Sequence, residues 1–303
     1  MSDYWSSEYR AHKGEIGLHV WRKRVGAPTP GSADLPLLLL VHGSSFSGRS
    51  GYDLQVPGKE GYSMMEAFAD WGFDVWIMDH EGYGRSDWGD GVFAYVREGV
   101  DDLKAALEVI TRETGAKRVS MYGGSSGALR AACFAAACPD AVDRLALAAM
   151  VYTGKGSPTL AKRAERLDEW RASNKRPVDH AFFASIFNRD KPGTADNEVA
   201  VALADSEAAL CSHVPTGTYI DMCANLPLVE PEDVTCPTLL VRSEHDGIAT
   251  DADVMEFWSR LPNKDKQFTQ MDGQSHAATL GLNRWRFWHV LNTFLTMPPR
   301  CDG

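Results

Sequence analysis

Short strand-like runs, most of them apolar and most followed by a turn of glycine or small polar residues, punctuate the chain. They are Leu37 to Val41, Asp74 to Met78, Arg118 to Met121, Arg144 to Met150, Thr238 to Arg242 and Lys266 to Met271. The most apolar of them, such as Leu37 to Val41, show no alternation, as expected of strands buried on both faces. The N-terminus reads differently. Glu8 to His12 and Ile16 to Val25 are strand-like. The second alternates, with Ile16, Leu18 and Val20 facing one way and His19 and Trp21 the other, which suits an antiparallel strand with unlike faces. Helical patterns fall between the later runs: Tyr62 to Trp71, Ala94 to Thr114, the alanine-rich Ala128 to Cys138, a segment from an N-cap at Thr250 or Asp251 to Leu261, and Asn283 to Thr296. In the second of these, Val96, Val100, Leu103, Leu107 and Ile110 form one stripe, and Gly115 ends it. This β-α-β-α order predicts an α/β fold: a mostly parallel central sheet with helices on both faces.

The alternation of strand and helix stops near Tyr152 and resumes near Pro237. The intervening stretch has helical periodicity and no strand pattern. It is charge-rich from Lys162 to Arg171 and carries Trp170, Phe182, Phe183, Phe187, Tyr219 and Met222. The expected organisation is a core of residues 1–151 and 233–303 with a helical cap of residues 152–232. Ser45, Phe46, Tyr152, Trp170 and Phe187 are the expected substrate contacts, although aromatics at helical spacing more often serve as a segment's own core.

Composition narrows the partners. The 303 residues are 44% hydrophobic and 24% charged, ordinary for a globular chain able to bury a large core. A formal net charge of −10 argues against nucleic acid or an anionic membrane surface as partner. The longest apolar run, Leu35 to Val41, contains a proline and is too short to span a bilayer. No segment near the N-terminus joins a basic start to an apolar stretch, so no signal peptide is expected. The six cysteines, at positions 133, 138, 211, 223, 236 and 301, lack metal-type spacing and read as free thiols of a cytoplasmic protein. Asp79 to Ser86 is glycine-punctuated but lacks the Gly-Lys-Ser/Thr ending of a phosphate loop, so it reads as a structural turn. Monomer and dimer are equally compatible with the sequence.

The candidate chemistry begins at Gly123-x-Ser125-x-Gly127, between a strand and a helix. The pentapeptide alone arises often by chance; its place on a strand-to-helix turn makes it a nucleophile elbow. Side chains at the −2 and +2 positions would collide there, so both are glycine. A serine hydroxyl is a poor nucleophile at neutral pH and needs a base, and the base needs an acid to fix its tautomer. Asp246 follows one strand and His276 the last, so both fall on the sheet edge that carries Ser125. Glu244 is the rival acid, but Asp246-Gly247 is the better turn and reaches further past the strand. His245 adjoins the acid and would point away, while His42 reads as structural. Two donors for an oxyanion are expected from the backbone N–H groups of Ser126 and Ser44, with Ser45 the alternative to Ser44. No metal or organic cofactor is required.

On these motifs the chain resembles the α/β-hydrolase superfamily from about residue 8 to residue 297. The matches are His42-Gly43, Asp79-x-x-Gly82-x-Gly84-x-Ser86, Gly123-x-Ser125-x-Gly127, Asp246-Gly247 and Gly273-x-x-His276. The Gly-Gly-Ser-Ser-Gly elbow, the His-Gly-Ser-Ser loop and Val214 to Tyr219 are similar to bacterial esterases that cleave monoalkyl phthalates. The resemblance implies a serine carboxylesterase acting on a small-molecule ester beside a free aromatic carboxylate. Arg49, Arg85 and Arg163 are the candidates to hold that carboxylate. Amide or lactone hydrolysis, carbon–carbon bond hydrolysis, and a capped receptor with little turnover are the alternatives.

Overall fold

The computed structural model describes residues 2–298. The chain begins with a hairpin in which β1 (Tyr4–Lys13) pairs along its whole length with β2 (Ile16–Val25), turning at Gly14 with φ 58°. There follow β3 (Leu37–Val41), β4 (Asp74–Met78), β5 (Val119–Gly124) and β6 (Val142–Ala148). After a long excursion with its own ribbon, β7 (Lys175–Pro177) and β8 (His213–Pro215), the chain returns to the sheet as β9 (Thr238–Ser243) and β10 (Lys266–Met271). The eight-stranded sheet runs β1-β2-β4-β3-β5-β6-β9-β10. The contacts of β2 are antiparallel and every pairing from β4 to β10 is parallel.

Each residue of β3 is buried, and they divide between two cores. Leu37, Leu39 and Val41 join Met121, Leu129 and Phe134 on one side. Leu38 and Leu40 join Phe68, Tyr122 and Trp288 on the other. An unbroken apolar run is what a strand covered on both faces requires. The short helix α1 (Gly48–Tyr52) follows β3, and α2 (Met64–Asp70) lies on the Phe68 side. Ser63 caps α2 by accepting from the Glu66 N–H. Helix α3 (Gly99–Thr114) and α4 (Ser126–Ala137) cover the Leu39 side, and Gly115, at φ 74°, ends α3.

Between β6 and β9 lie α5 (Pro158–Ala164), α6 (Leu167–Ala172), α7 (His180–Asn188), α8 (Asn197–Ala208) and α9 (Gly217–Ile220), together with the ribbon. After β9, α10 (Asp251–Arg260) is capped by Thr250, and α11 (Arg284–Leu295) closes the Phe68 side. A third core of Phe183, Phe187, Val199 and Leu203 from the excursion and Leu54, Val56, Tyr83 and Leu280 from the remainder joins the two parts.

Two expectations need correction. The stretch from 152 to 232 has a sheet of its own, since Arg176 pairs with Val214 in the ribbon. The long helix begins at Gly99, not at Ala94. Ala94 has φ 52°, and the Glu98 carboxylate accepts from the Tyr95 N–H, so the preceding residues form a turn. Among the described residues no helix is long and apolar enough to cross a membrane.

Candidate active site

β5 delivers Ser125 onto a sharp turn with φ 59° and ψ −129°, strained for a residue with a side chain. The backbone N–H of Ser125 donates to Ala148 O at 2.9 Å, and Ser125 O accepts from the Ala128 N–H. The flanking glycines are required by contact. A Cβ on Gly123 would stand 2.4 Å from Gly127 O, and one on Gly127 would stand 2.3 Å from Val41 O and 2.7 Å from His42 O. Those neighbours are backbone and cannot swing aside. Gly127→Ala is therefore expected to cost about 3 kcal/mol, the upper range of overpacking. Thermal unfolding followed by circular dichroism checks it, and an unchanged midpoint would contradict the fit.

The loop after β9 carries Asp246, buried, and the loop after β10 carries His276. His276 Nδ1 lies 3.2 Å from each carboxylate oxygen of Asp246. Nδ1–H donating to Asp246 leaves the lone pair on Nε2, where a base needs it. Burial pushes the Asp246 carboxyl up. The positive field and hydrogen bond of His276, the Ile248 N–H and Arg242 outweigh it and hold the carboxyl below its ordinary value. Glu244 is turned elsewhere: it accepts from the Gly273 N–H and pairs with His245.

Opposite the elbow, the loop after β3 runs from His42 to Ser47. Gly43 packs so closely that a Cβ there would be 3.2 Å from Gly124 O. The Ser44 hydroxyl bonds the Ser126 hydroxyl at 2.5 Å. Ser126 opens α4, so its N–H is among those without an intrahelical partner. His42 is fully enclosed. Its Nε2 accepts from the His80 N–H at 2.9 Å and its Nδ1 donates to Gly43 O at 2.8 Å. Burial, aided by the charges of His80 and Arg130, pushes its pKa well down and keeps it neutral. It braces the loop.

Ser125 and His276 line one cavity of about 100 Å³, together with Gly43, Ser44, Ser45, Phe46, Tyr52, Tyr122, Ile186 and Leu280. Of the expected contacts, Ser45 and Phe46 lie in its wall. Phe187 is buried behind Phe46, with ring centroids 6.2 Å apart. Trp170 lines a neighbouring chamber. Tyr152 is not among the lining residues: its ring packs on Phe257 and its hydroxyl is engaged by Glu230 and Arg260. Of the three candidate arginines, Arg163 lines the cavity. Arg49 pairs with Glu8 over Trp21, and Arg85 is exposed.

Arg176, Arg189 and Asp190 were not anticipated. Arg189 lines the cavity and holds Asp190 through two hydrogen bonds of 2.8 and 3.0 Å. Asp190 in turn approaches the His276–Asp246 pair, and ligating atoms of Asp190, Asp246 and His276 lie within 4.8 Å of one another. Among the described residues this is the group arranged to hold a cation, but Arg189 and His276 already partner its carboxylates. No spacing in the sequence marks these residues; the fold of the cap brings them in.

A parallel sheet with an antiparallel hairpin at one edge, a strained elbow after its central strand and an insertion before β9 is the α/β-hydrolase fold, and the chain is a member of that class. More narrowly, residues 61–281 match the family described as serine aminopeptidase, S33, and the chain belongs to it. No curated protein matches the sequence. Among solved structures, a hydrolase from Pseudomonas aeruginosa PA01 is 17% identical, over 96% of this chain and 98% of its own, with a TM-score of 0.70. The 2-hydroxy-6-oxo-6-phenylhexa-2,4-dienoate hydrolase of Rhodococcus sp. strain RHA1 is 16% identical, over 97% and 100%, also at 0.70. A thermophilic esterase from Thermogutta terrifontis is 19% identical, over 95% and 98%, again at 0.70. These likenesses are of fold.

Proposed function

We propose that the protein hydrolyses carboxylic esters through an acyl-enzyme on Ser125. The observation that carries this reading is the His276–Asp246 pair opening onto the cavity that contains the strained elbow serine. Ser125 Oγ attacks the ester carbonyl and its proton passes to His276 Nε2. The oxyanion rests on the backbone N–H groups of Ser126 and Ser44, each worth on the order of 2.7–4 kcal/mol of barrier. Collapse expels the alcohol, protonated by His276, and water repeats the sequence on the acyl group. Asp246 stabilises the imidazolium throughout.

Phe46, Tyr52, Tyr122, Ile186 and Leu280 favour a medium-sized apolar or aromatic ester, and the motif resemblance favours a monoalkyl phthalate. Free cysteines at 133, 138, 211, 223 and 236 favour the cytoplasm. The family description, serine aminopeptidase, favours a second reading, amide hydrolysis. Matched ester, amide, lactone and ring-fission diketone substrates given to the wild-type protein decide between them. Fastest turnover of the ester is expected. Fastest turnover of the amide would move the assignment to peptidase chemistry, and no turnover by the folded protein would favour a receptor.

A further inference from the structure

Beside the catalytic cavity lies a chamber of about 660 Å³ between α5, α6 and α7, and Arg163, Ile186 and Arg189 line both spaces. The catalytic cavity is smaller than the roughly 150 Å³ that encloses a benzene. A substrate of aromatic size therefore extends into the chamber. In its wall, the guanidinium carbons of Arg163 and Arg176 lie 4.0 and 4.1 Å from the ring centroid of Tyr219. Arg176 is 3% exposed. Its Nη2 donates to Ser44 O at 3.1 Å, while its Nε and Nη1, and Nη1 of Arg163, are buried with no partner among the described residues. Proteins rarely leave charged donors buried and unpaired, because each loses its hydration without replacement.

The other charges of the chamber do not neutralise these two. Asp190 is the acid in its wall, and Arg189 holds it. Lys162 and Arg166 add positive charge, and Arg166 pairs with Glu169. A chain with a net charge of −10 thus surrounds this space with positive charge.

Resting on the ester-hydrolase reading, we infer that Arg163 and Arg176, gathered on Tyr219, bind a negatively charged oxygen group of the substrate, a carboxylate or a phosphate. Tyr219 reports the field they create. Burial pushes its phenol up, yet Arg163 and Arg176, with the Ser45 hydroxyl and the charge of Arg189, bring it down to about 8. A site that stabilises a phenolate oxygen stabilises a ligand's anionic oxygen by the same means. Arg176 and Tyr219 also touch Ser44 and Ser45, so the anion site is joined to the loop proposed to hold the oxyanion.

Arg163→Gln is the variant of choice, since Arg176→Gln would also release Ser44. Two experiments together test the inference. In the first, kcat/KM is compared for a monobutyl phthalate and for the same ester with a carboxamide in place of the carboxylate. Wild type is expected to prefer the anion on the order of 100-fold, and Arg163→Gln to bring the ratio close to one. In the second, calorimetry measures binding of benzoate and of phenyl phosphate to the Ser125→Ala protein, which needs no turnover. At least one anion is expected to bind, about 10-fold more weakly once Arg163→Gln is added. The tighter of the two identifies the anionic group. Binding lost with Arg163→Gln in a protein that turns over no ester would uphold the anion site and refute the ester reading. Neutral and anionic esters turned over equally, or binding unaffected by Arg163→Gln, would overturn the anion site and leave the ester reading standing.

Discussion

Ser125→Ala is expected to lower kcat on ester substrates by on the order of 10⁶-fold while leaving KM within a few fold. The methyl group that remains has no proton to give His276 and no lone pair to attack with, so the acyl-enzyme route closes. The fold is expected to persist, because alanine fits the elbow as serine does and the backbone bond to Ala148 O is untouched. Any residual rate would come from the oxyanion donors and from substrate placement. Steady-state assays on a variant with wild-type circular dichroism make the test. A purified variant retaining more than about 1% of the wild-type rate, against the losses typical of nucleophile removal, would remove Ser125 from the chemistry.

Asp246→Asn is expected to lower kcat by about 10⁴-fold. An amide N–H₂ facing Nδ1 makes that nitrogen the acceptor, so Nε2 carries the proton and can no longer take one from Ser125. Glu244→Gln is the matched control and is expected to change little, because Glu244 serves the turn at Gly273. A pH signature accompanies the loss. The folded carboxyl of Asp246 is depressed, so its contribution to stability is fully present above its unfolded value of about 3.8 and is lost as pH falls through the lower folded value. The Asn variant lacks that increment of acid sensitivity. Urea unfolding at neutral and acidic pH measures it, and wild type and variant losing stability in parallel would contradict the assignment.

The sheet was legible because burial on both faces leaves a local trace. Asp74–Met78 was read to the residue and Leu37–Val41 from its unbroken apolar run, since a central strand's environment is the same wherever it lies in the sheet. The hairpin strand Ile16–Val25 was equally clear. What escaped depended on contacts remote in sequence. Lys175–Pro177 and His213–Pro215 are too short and too polar for any periodicity, and become strands only because the cap brings them together. Tyr152, expected among the substrate contacts, has its hydroxyl engaged by Glu230 and Arg260 instead. Ser125, Asp246 and His276 could be proposed from the sequence because the strands that position them are themselves legible. Arg163 could be named only as one of three candidates, and Arg176 not at all, because the chamber that gathers both on Tyr219 is assembled by contacts remote in sequence.

The whole excursion is a loop between β6 and β9, which are hydrogen-bonded neighbours in the sheet. Closing a loop costs entropy that grows only with the logarithm of its length, so doubling the excursion would add about 0.6 kcal/mol. The sheet is therefore nearly indifferent to how much chain is spent there. Lengthening, shortening or exchange of the excursion would be limited by its own packing and by the Phe183–Leu54 core beneath it, not by the strands it joins. The part of the molecule that would face the substrate on the ester-hydrolase reading is thus the part the scaffold constrains least, and a new specificity could be built there without re-forming the elbow.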